Sequence, residues 1–157
     1  LPKPMLVEFS ALINDMSDEK KTVLTNHEIH QAFKDGYVNI NDPIKTRFYH
    51  SSNSGSKTEL SATVEYDGKV STVTGEGNGP LDALCAGMRK MLDRHFEISN
   101  YTEHALERSS ASKAAAYIGL KDDDSDIVYW GVGVDANINT ASVYALMSAV
   151  NRMLKSK

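Results

Sequence analysis

The chain has 157 residues, of which 41% are hydrophobic and 24% charged, and 21 acidic residues outnumber 17 basic ones to give a net charge of -4. This length fits one soluble domain or two small subdomains that share a core. The acidic balance argues against nucleic acid or a membrane surface as partner, because both usually require a positive patch. A single cysteine excludes an intramolecular disulfide and suits a reducing compartment, so we expect a cytoplasmic protein.

Residues 1–40 predict a small helical subdomain. The apolar residues of Leu6–Ile13 follow a short helical stripe, and the polar run Asp15–Lys21 is expected to interrupt it. Thr25 or Asn26 can cap a second helix. Neither helix has enough apolar surface to be stable alone, so both should dock on the rest of the chain. Because the first residues match neither an initiator methionine nor a signal peptide, we expect a fragment of a longer protein.

In the following segment the apolar residues recur at every second position instead of at helical spacing. Leu60–Tyr66 alternates apolar and polar residues, and Asp67-Gly68 supplies the positive φ angles of a tight hairpin into Val70–Thr74. Thr46–Ser51 predicts a third strand. The turn-rich run Ser51–Ser56 between these strands is expected to be a solvated loop.

The same order of elements then recurs after a first amphipathic helix. Leu81–Leu92 has the i, i+3, i+4, i+7 spacing of that helix. Phe96–Leu106, Ala111–Leu120 and Ile127–Val134 predict three more strands. The apolar stripe within Val143–Leu154 then predicts a final helix.

Two βββα units therefore follow one another, at about 44–95 and 96–157. Each would lay one helix on one face of a three-stranded antiparallel sheet. Neither sheet can form a sufficient core alone, so the two units, or two chains, should pack together. The predicted fold class is α+β, with two pseudo-symmetric βββα units in a domain of residues 41–157, preceded by the helical subdomain.

Motifs for common enzyme chemistry are incomplete. The glycines of 131–136 match a dinucleotide pattern, but too little chain follows to complete a second βαβ strand. His27 and His30 are spaced three apart rather than the four of a zinc protease. Asp122–Asp126 lacks the glycine and glutamate of a calcium loop and is expected to be a solvated hairpin tip. Cys85 falls on an apolar helix stripe, where an inert core thiol is expected. We therefore predict no catalytic residue and no metal ligand.

Two strand-to-helix junctions remain as candidate binding positions, at Asn78–Asp82 and Asn137–Ala141. A helix start exposes unpaired N–H groups, so each junction could hold a carboxylate, or the two junctions could face one another. Pro80 suits a first helical turn, and the neighbouring glycines let a ligand approach the backbone. Ordinary capping and turn chemistry accounts for the same residues.

Several sequence blocks resemble a known enzyme domain. They are Thr74–Ala83 (TGEGNGPLDA), Asn100–Leu106 (NYTEHAL), Tyr129–Val134 (YWGVGV), Asn139–Ser142 (NTAS) and Ala149–Arg152 (AVNR). In this order, over about residues 44–155, they resemble the C-terminal regulatory domain of 2-isopropylmalate synthases. Residues 6–39 resemble that enzyme's linker subdomain.

The resemblance implies a function that the residues alone do not. The full-length enzymes of this family condense acetyl-CoA with 2-oxoisovalerate in leucine synthesis, using a divalent metal in a catalytic barrel. Their regulatory domain folds as two βββα units, contributes to a homodimer and binds L-leucine between the units as feedback inhibitor. By this resemblance the chain is a regulatory domain without activity or cofactor of its own. Its partners are then L-leucine, a second copy and the barrel of its own chain, with no nucleic acid or membrane.

The resemblance also implies a leucine site. Helix-start N–H groups would take the carboxylate, Asp82 or backbone carbonyls the ammonium, and apolar side chains such as Leu81, Ile98, Ala105 and Ile138 the isobutyl group. The assigned residues are Gly77, Asn78, Gly79, Pro80, Leu81 and Asp82 in the first unit, and Ile98, Tyr101, Ala105, Ala114, Ala116, Val134, Asp135, Ala136, Asn137 and Ile138 in the second.

Two other functions stay open. The isoleucine-sensing domain of citramalate synthase shares the fold, although the blocks Tyr101–Leu106 and Trp130–Gly133 look more like the isopropylmalate enzyme. A dimerisation module without a ligand is the other alternative, because ordinary turn chemistry accounts for both junctions.

Overall fold

The computed structural model describes residues 1–105 and 113–156, and within them four helices and six strands follow one another. They are α1 (Lys3–Lys20), α2 (Asn26–Tyr37), β1 (Ile44–Ser54), β2 (Lys57–Tyr66), β3 (Lys69–Gly77), α3 (Pro80–Leu92), β4 (Phe96–Ala105), β5 (Ala114–Asp122), β6 (Val128–Asp135) and α4 (Ile138–Lys155). The strands form two antiparallel sheets, ordered β1-β2-β3 and β4-β5-β6. The predicted α+β class with two βββα units is confirmed. The predicted strand ends Leu106 and Ala111 lie outside the described residues.

The helical region is more continuous than its apolar pattern indicated. α1 runs through the polar segment Asp15–Lys21 almost to its end, so the predicted break there is wrong. Met5 and Phe9 are buried on one side of this helix, while most of the polar segment faces solvent. α2 begins with a capping box: Thr25 Oγ1 accepts the Glu28 N–H at 3.1 Å, and Glu28 Oε1 accepts the Thr25 N–H at 3.0 Å.

The first hairpin also differs from its prediction. β1 and β2 stay paired until only Gly55-Ser56 separates them, so most of the expected loop Ser51–Ser56 is strand. Gly55 has a φ of 66°, which L side chains rarely adopt and which a two-residue turn requires. The second hairpin follows the prediction, with φ angles of 55° at Asp67 and 77° at Gly68.

α3 and α4 lie between the two sheets. α3 packs on β2 and β3 and also contacts β4, whereas α4 packs on β5 and β6 and also contacts β1 and α3. The main core therefore combines buried residues from both sheets and both helices. On the other face of the second sheet, α1 and α2 cover a smaller cluster that includes Tyr117 and Trp130.

Glycines allow each helix to approach its sheet closely. A Cβ on Gly75 would lie 1.8 Å from the carbonyl oxygen of Ala83, and a Cβ on Gly133 would lie 1.8 Å from that of Ala141. Both glycines precede their alanines by the same number of residues. The two units thus share one strand-to-helix contact, as an internal duplication requires.

A buried asparagine in α4 holds the segment that joins α2 to β1. Asn151 accepts the Ile44 N–H at 2.7 Å and donates to the carbonyls of Ile40 and Ile44 at 2.8 and 2.9 Å. One turn earlier, Ser148 Oγ donates to the Tyr37 carbonyl at 2.6 Å and accepts the Ile40 N–H at 3.2 Å. Ser148 and Asn151 are both fully buried, so these bonds fix α2 and β1 relative to α4.

Gly133→Ala should destabilise the protein, because the added methyl group forces α4 away from β6. We expect a loss of about 1–3 kcal/mol or more in the free energy of unfolding, measured by urea denaturation. Gly36→Ala is the matched control, since its Cβ would meet only Leu12 Cδ2, at 3.9 Å. Within α2 that change should raise stability by up to about 1 kcal/mol. Equal unfolding midpoints for the two variants would contradict the close-packing argument.

Asn151→Ala should leave the buried N–H and carbonyl of Ile44, and the partly buried carbonyl of Ile40, without their side-chain partner. We expect the free energy of unfolding to fall by about 2–4 kcal/mol, since each unsatisfied buried group costs about 1–3 kcal/mol. Thermal and urea unfolding provide the measurement. Asn139→Ala, at an exposed position of the same helix, should stay within about 0.5 kcal/mol of the unsubstituted chain. A loss no larger than that of this control would show that Asn151 does not hold the segment.

Candidate functional site

The two strand-to-helix junctions are capped differently. At the start of α3, the N-cap Gly79 has no side chain to accept a hydrogen bond, and Pro80 occupies the first turn. At the start of α4, Asn137 Oδ1 accepts the N–H groups of Asn139 at 2.8 Å and Thr140 at 3.3 Å. The Asn137 side chain therefore pairs with N–H groups in the first turn of α4. No N-cap side chain pairs with the N–H groups in the first turn of α3.

The Asp82 carboxylate turns back onto its own junction. Its Oδ2 accepts the Asn78 N–H at 3.0 Å, and a Cβ on Gly77 would lie 2.4 Å from the same oxygen. The absence of that Cβ makes room for the carboxylate. In the second junction, Asp135 Oδ2 accepts the Asn137 N–H at 2.9 Å. Each of these acids closes the loop between a strand and its helix.

Several assigned residues of the second unit share one face of the β4–β6 sheet. Three cross-strand rows lie on this face: Ala105–Ala114–Asp135, Glu103–Ala116–Gly133 and Tyr101–Ile118–Gly131. It is the face toward α4, because the missing Cβ atoms of Gly131 and Gly133 point at that helix. β4 remains accessible here, with Tyr101 42% exposed. Small residues dominate the first two rows.

Tyr101 connects β4 to α4 through its hydroxyl group. Tyr101 Oη lies 2.7 Å from Ser142 Oγ and donates a hydrogen bond to the Glu103 carboxylate. Partial burial and the bond to Glu103 raise the pKa of Tyr101. The phenol is therefore neutral near pH 7 and acts as a hydrogen-bond donor.

The remaining assigned residues divide into three groups. Leu81, Ile98 and Ile138 are half-buried and pack against the same main core. Ala136 and Asn137 are exposed in the loop before α4. Val134 packs instead with the cluster under α1 and α2, on the opposite sheet face. Five cavities of about 240–440 Å³ in the described part of the chain are lined by other residues.

Other residues singled out in the sequence have structural roles. Cys85 is 2% exposed, and burial raises the pKa of its thiol to about 11, as befits a core residue. Asp122 is not part of a solvated tip, because it is 2% exposed and Arg94 Nη2 donates to it at 2.7 Å.

Among the described residues no three His, Cys, Asp or Glu side chains converge as metal ligands. In the same part of the chain no helix is long and apolar enough to span a bilayer.

Three polar side-chain contacts were not predicted from the sequence, although Thr140 lies within the candidate junction Asn137–Ala141. Glu103 and Ser142 contact Tyr101, and Thr140 Oγ1 lies 2.9 Å from Tyr49 Oη of β1. Strand periodicity could have identified Glu103, because Tyr101, Glu103 and Ala105 occupy every second position of β4 and therefore share one face. The contacts of Ser142 and Thr140 depend on how α4 packs, which no local pattern reveals.

The chain is similar to known proteins over almost its whole length. The sequence profile of the LeuA allosteric (dimerisation) domain matches residues 23–154. The 2-isopropylmalate synthase of Desulfitobacterium hafniense (strain Y51) is 36% identical over 155 residues, which cover 99% of this chain and 28% of that protein. The yeast enzyme, from Saccharomyces cerevisiae, is 32% identical over 165 residues, covering 99% and 26%. The chain thus spans less than a third of these relatives' length. It belongs to the LeuA allosteric (dimerisation) domain family.

Proposed function

We propose that the chain is the regulatory domain of a 2-isopropylmalate synthase and binds L-leucine as a feedback inhibitor. Family membership and the names of the relatives support the parent enzyme. The condensation of acetyl-CoA with 2-oxoisovalerate, with its divalent metal, would belong to the part of such an enzyme that this chain does not span. The uncapped start of α3 is the observation that carries the proposal, since it offers N–H donors to a carboxylate.

The difference in capping selects between the two junctions. Asn137 already accepts two N–H groups of α4, so a ligand carboxylate there would have to displace it. At Gly79 no side chain competes. The isobutyl group would pack on the half-buried Leu81, Ile98 and Ile138. Burying a leucine side chain contributes about 1.5–3 kcal/mol, enough to favour leucine over smaller amino acids.

Inhibition would be a coupling free energy, typically about 1–3 kcal/mol, between the effector and catalytic sites. α4 provides a physical link, since it begins at the second junction and ends against the helical region. Arg152 near its end lies 4.1 Å from the centre of the Tyr37 ring, and its Nη1 donates to the Trp130 carbonyl at 2.8 Å. Tyr37 Oη in turn donates to Glu8 of α1 at 2.6 Å. Leucine bound at the start of α3 would pack on Ile138 in the first turn of α4, and would thereby bias α4 and, through it, the position of α1 and α2. Membership of a dimerisation family supports a homodimer.

Leucine should bind the 157-residue chain and stabilise it. Calorimetry should register heat with L-leucine, and millimolar leucine should raise the melting temperature because it binds only the folded state. Isoleucine and valine should produce smaller shifts. A larger shift with isoleucine would favour the citramalate synthase alternative. If millimolar leucine produced no heat and no shift of the melting temperature, that result would contradict a leucine sensor.

Substitutions at the start of α3 distinguish a sensor from a pure assembly domain. A Cβ on Gly79 meets no atom within 4 Å, so Gly79→Ala should fold normally. In a sensor, Gly79→Ala and Leu81→Ala should weaken the leucine response and leave the dimer intact. Loss of dimers, measured by light scattering, without any leucine effect would indicate a module that serves only assembly.

A further inference from the structure

An amino-acid effector needs an acceptor for its ammonium group as well as donors for its carboxylate. Burying an unpaired charge is costly, so the ammonium requires a carboxylate or several carbonyl oxygens. Three acids stand at the two junctions or on the α4-facing side of the second sheet: Asp82, Asp135 and Glu103. Their contacts are not equivalent, and the difference identifies one of them.

Asp82 and Asp135 are each bound to backbone of their own junctions. Asp82 accepts the Asn78 N–H at 3.0 Å, and Asp135 accepts the Asn137 N–H at 2.9 Å. Recruiting either acid to an ammonium would cost a hydrogen bond that shapes the site.

Glu103 is held by a side chain instead. It lies between Tyr101 and Ala105 on the α4 side of β4 and opposite Ala116, so two of its three neighbours on the sheet are alanines. Tyr101 Oη donates to its carboxylate and also lies 2.7 Å from Ser142 Oγ. Ser142 is 5% exposed and fixed within α4. The tyrosine hydroxyl can therefore turn its hydrogen to Ser142 when another donor takes the carboxylate.

We propose that Glu103 binds the ammonium group of the effector, with Tyr101 as a positioning residue that orients the carboxylate. This inference rests on the proposed function and deepens it, because it names the residue that recognises an α-amino acid. An ammonium–carboxylate hydrogen bond is charge-assisted and about twice as strong as a neutral one. The site should therefore discriminate strongly between L-leucine and 4-methylpentanoate, which has the same carbon skeleton without the amino group.

The test titrates the dimer-forming 157-residue chain and its variants with L-leucine and with 4-methylpentanoate. Glu103→Gln should weaken leucine binding about tenfold or more, the loss expected for one charge-assisted bond, and leave 4-methylpentanoate binding unchanged. Glu97→Gln is the matched control, since Glu97 is an exposed glutamate of the same strand, opposite Lys121. It should leave leucine affinity within about twofold. Tyr101→Phe should weaken leucine binding less than Glu103→Gln does, because the Glu103 charge remains.

The outcomes separate this inference from the function on which it rests. If the unsubstituted chain binds no leucine, the proposed function fails. If it binds leucine and Glu103→Gln binds equally well, the function stands and the role of Glu103 is overturned. Equal losses for leucine and 4-methylpentanoate would also overturn it, since the effect would not depend on the ammonium. Should Glu103→Gln lose its native circular dichroism spectrum, Glu103→Asp replaces it. The shorter acid should weaken the binding of leucine but not that of 4-methylpentanoate. Unchanged leucine affinity would overturn the assignment.

Discussion

The buried hydrogen bonds of Asn151 and Ser148 join distant parts of the chain to one helix. Through them α4 holds the segment from Tyr37 to Ile44, and the same helix packs against β5, β6, α3 and β1. Hydrogen bonds in a water-free core are costly to break, so they allow one relative placement of these elements. Because α4 begins at the second junction, the position of that junction depends on this placement.

Internal duplication provides two junctions, and their later divergence distinguishes them. The contacts of Gly75 with Ala83 and of Gly133 with Ala141 fix each helix at the same height over its strand. On this common frame, one helix has Gly79 as N-cap and the other has Asn137. A glycine leaves backbone donors available, while an asparagine consumes two of them. The duplicated fold therefore has one helix start with a side-chain cap and one without.

Period-two alternation and turn glycines predicted the two βββα units, because half-buried strands and tight hairpins leave a local signature. Two segments, Asp15–Lys21 and Ser51–Ser56, were misjudged for a shared reason. Their side chains are mostly solvated, so no apolar pattern marks them, although the backbone hydrogen bonds of α1 and of the first hairpin continue through them. Asp122 was misjudged because its partner Arg94 comes from a distant part of the chain. In the candidate site, Tyr101 and Ala105 were expected only from the family resemblance, and their spacing of four residues along β4 puts them on one face. The inward turn of Asp82 depends on the missing Cβ of Gly77.

The bonds of α4 to the helical region also constrain the order in which the protein can form. Asn151 and Ser148 are separated by 107 and 111 residues from the backbone groups of Ile44 and Tyr37 that they bind. During synthesis, α1 and α2 emerge long before their docking partner exists. Contacts between residues so far apart in sequence close slowly. Met5 and Phe9 pack with Tyr117 and Trp130, so their apolar faces also stay uncovered until β5 and β6 have been synthesised.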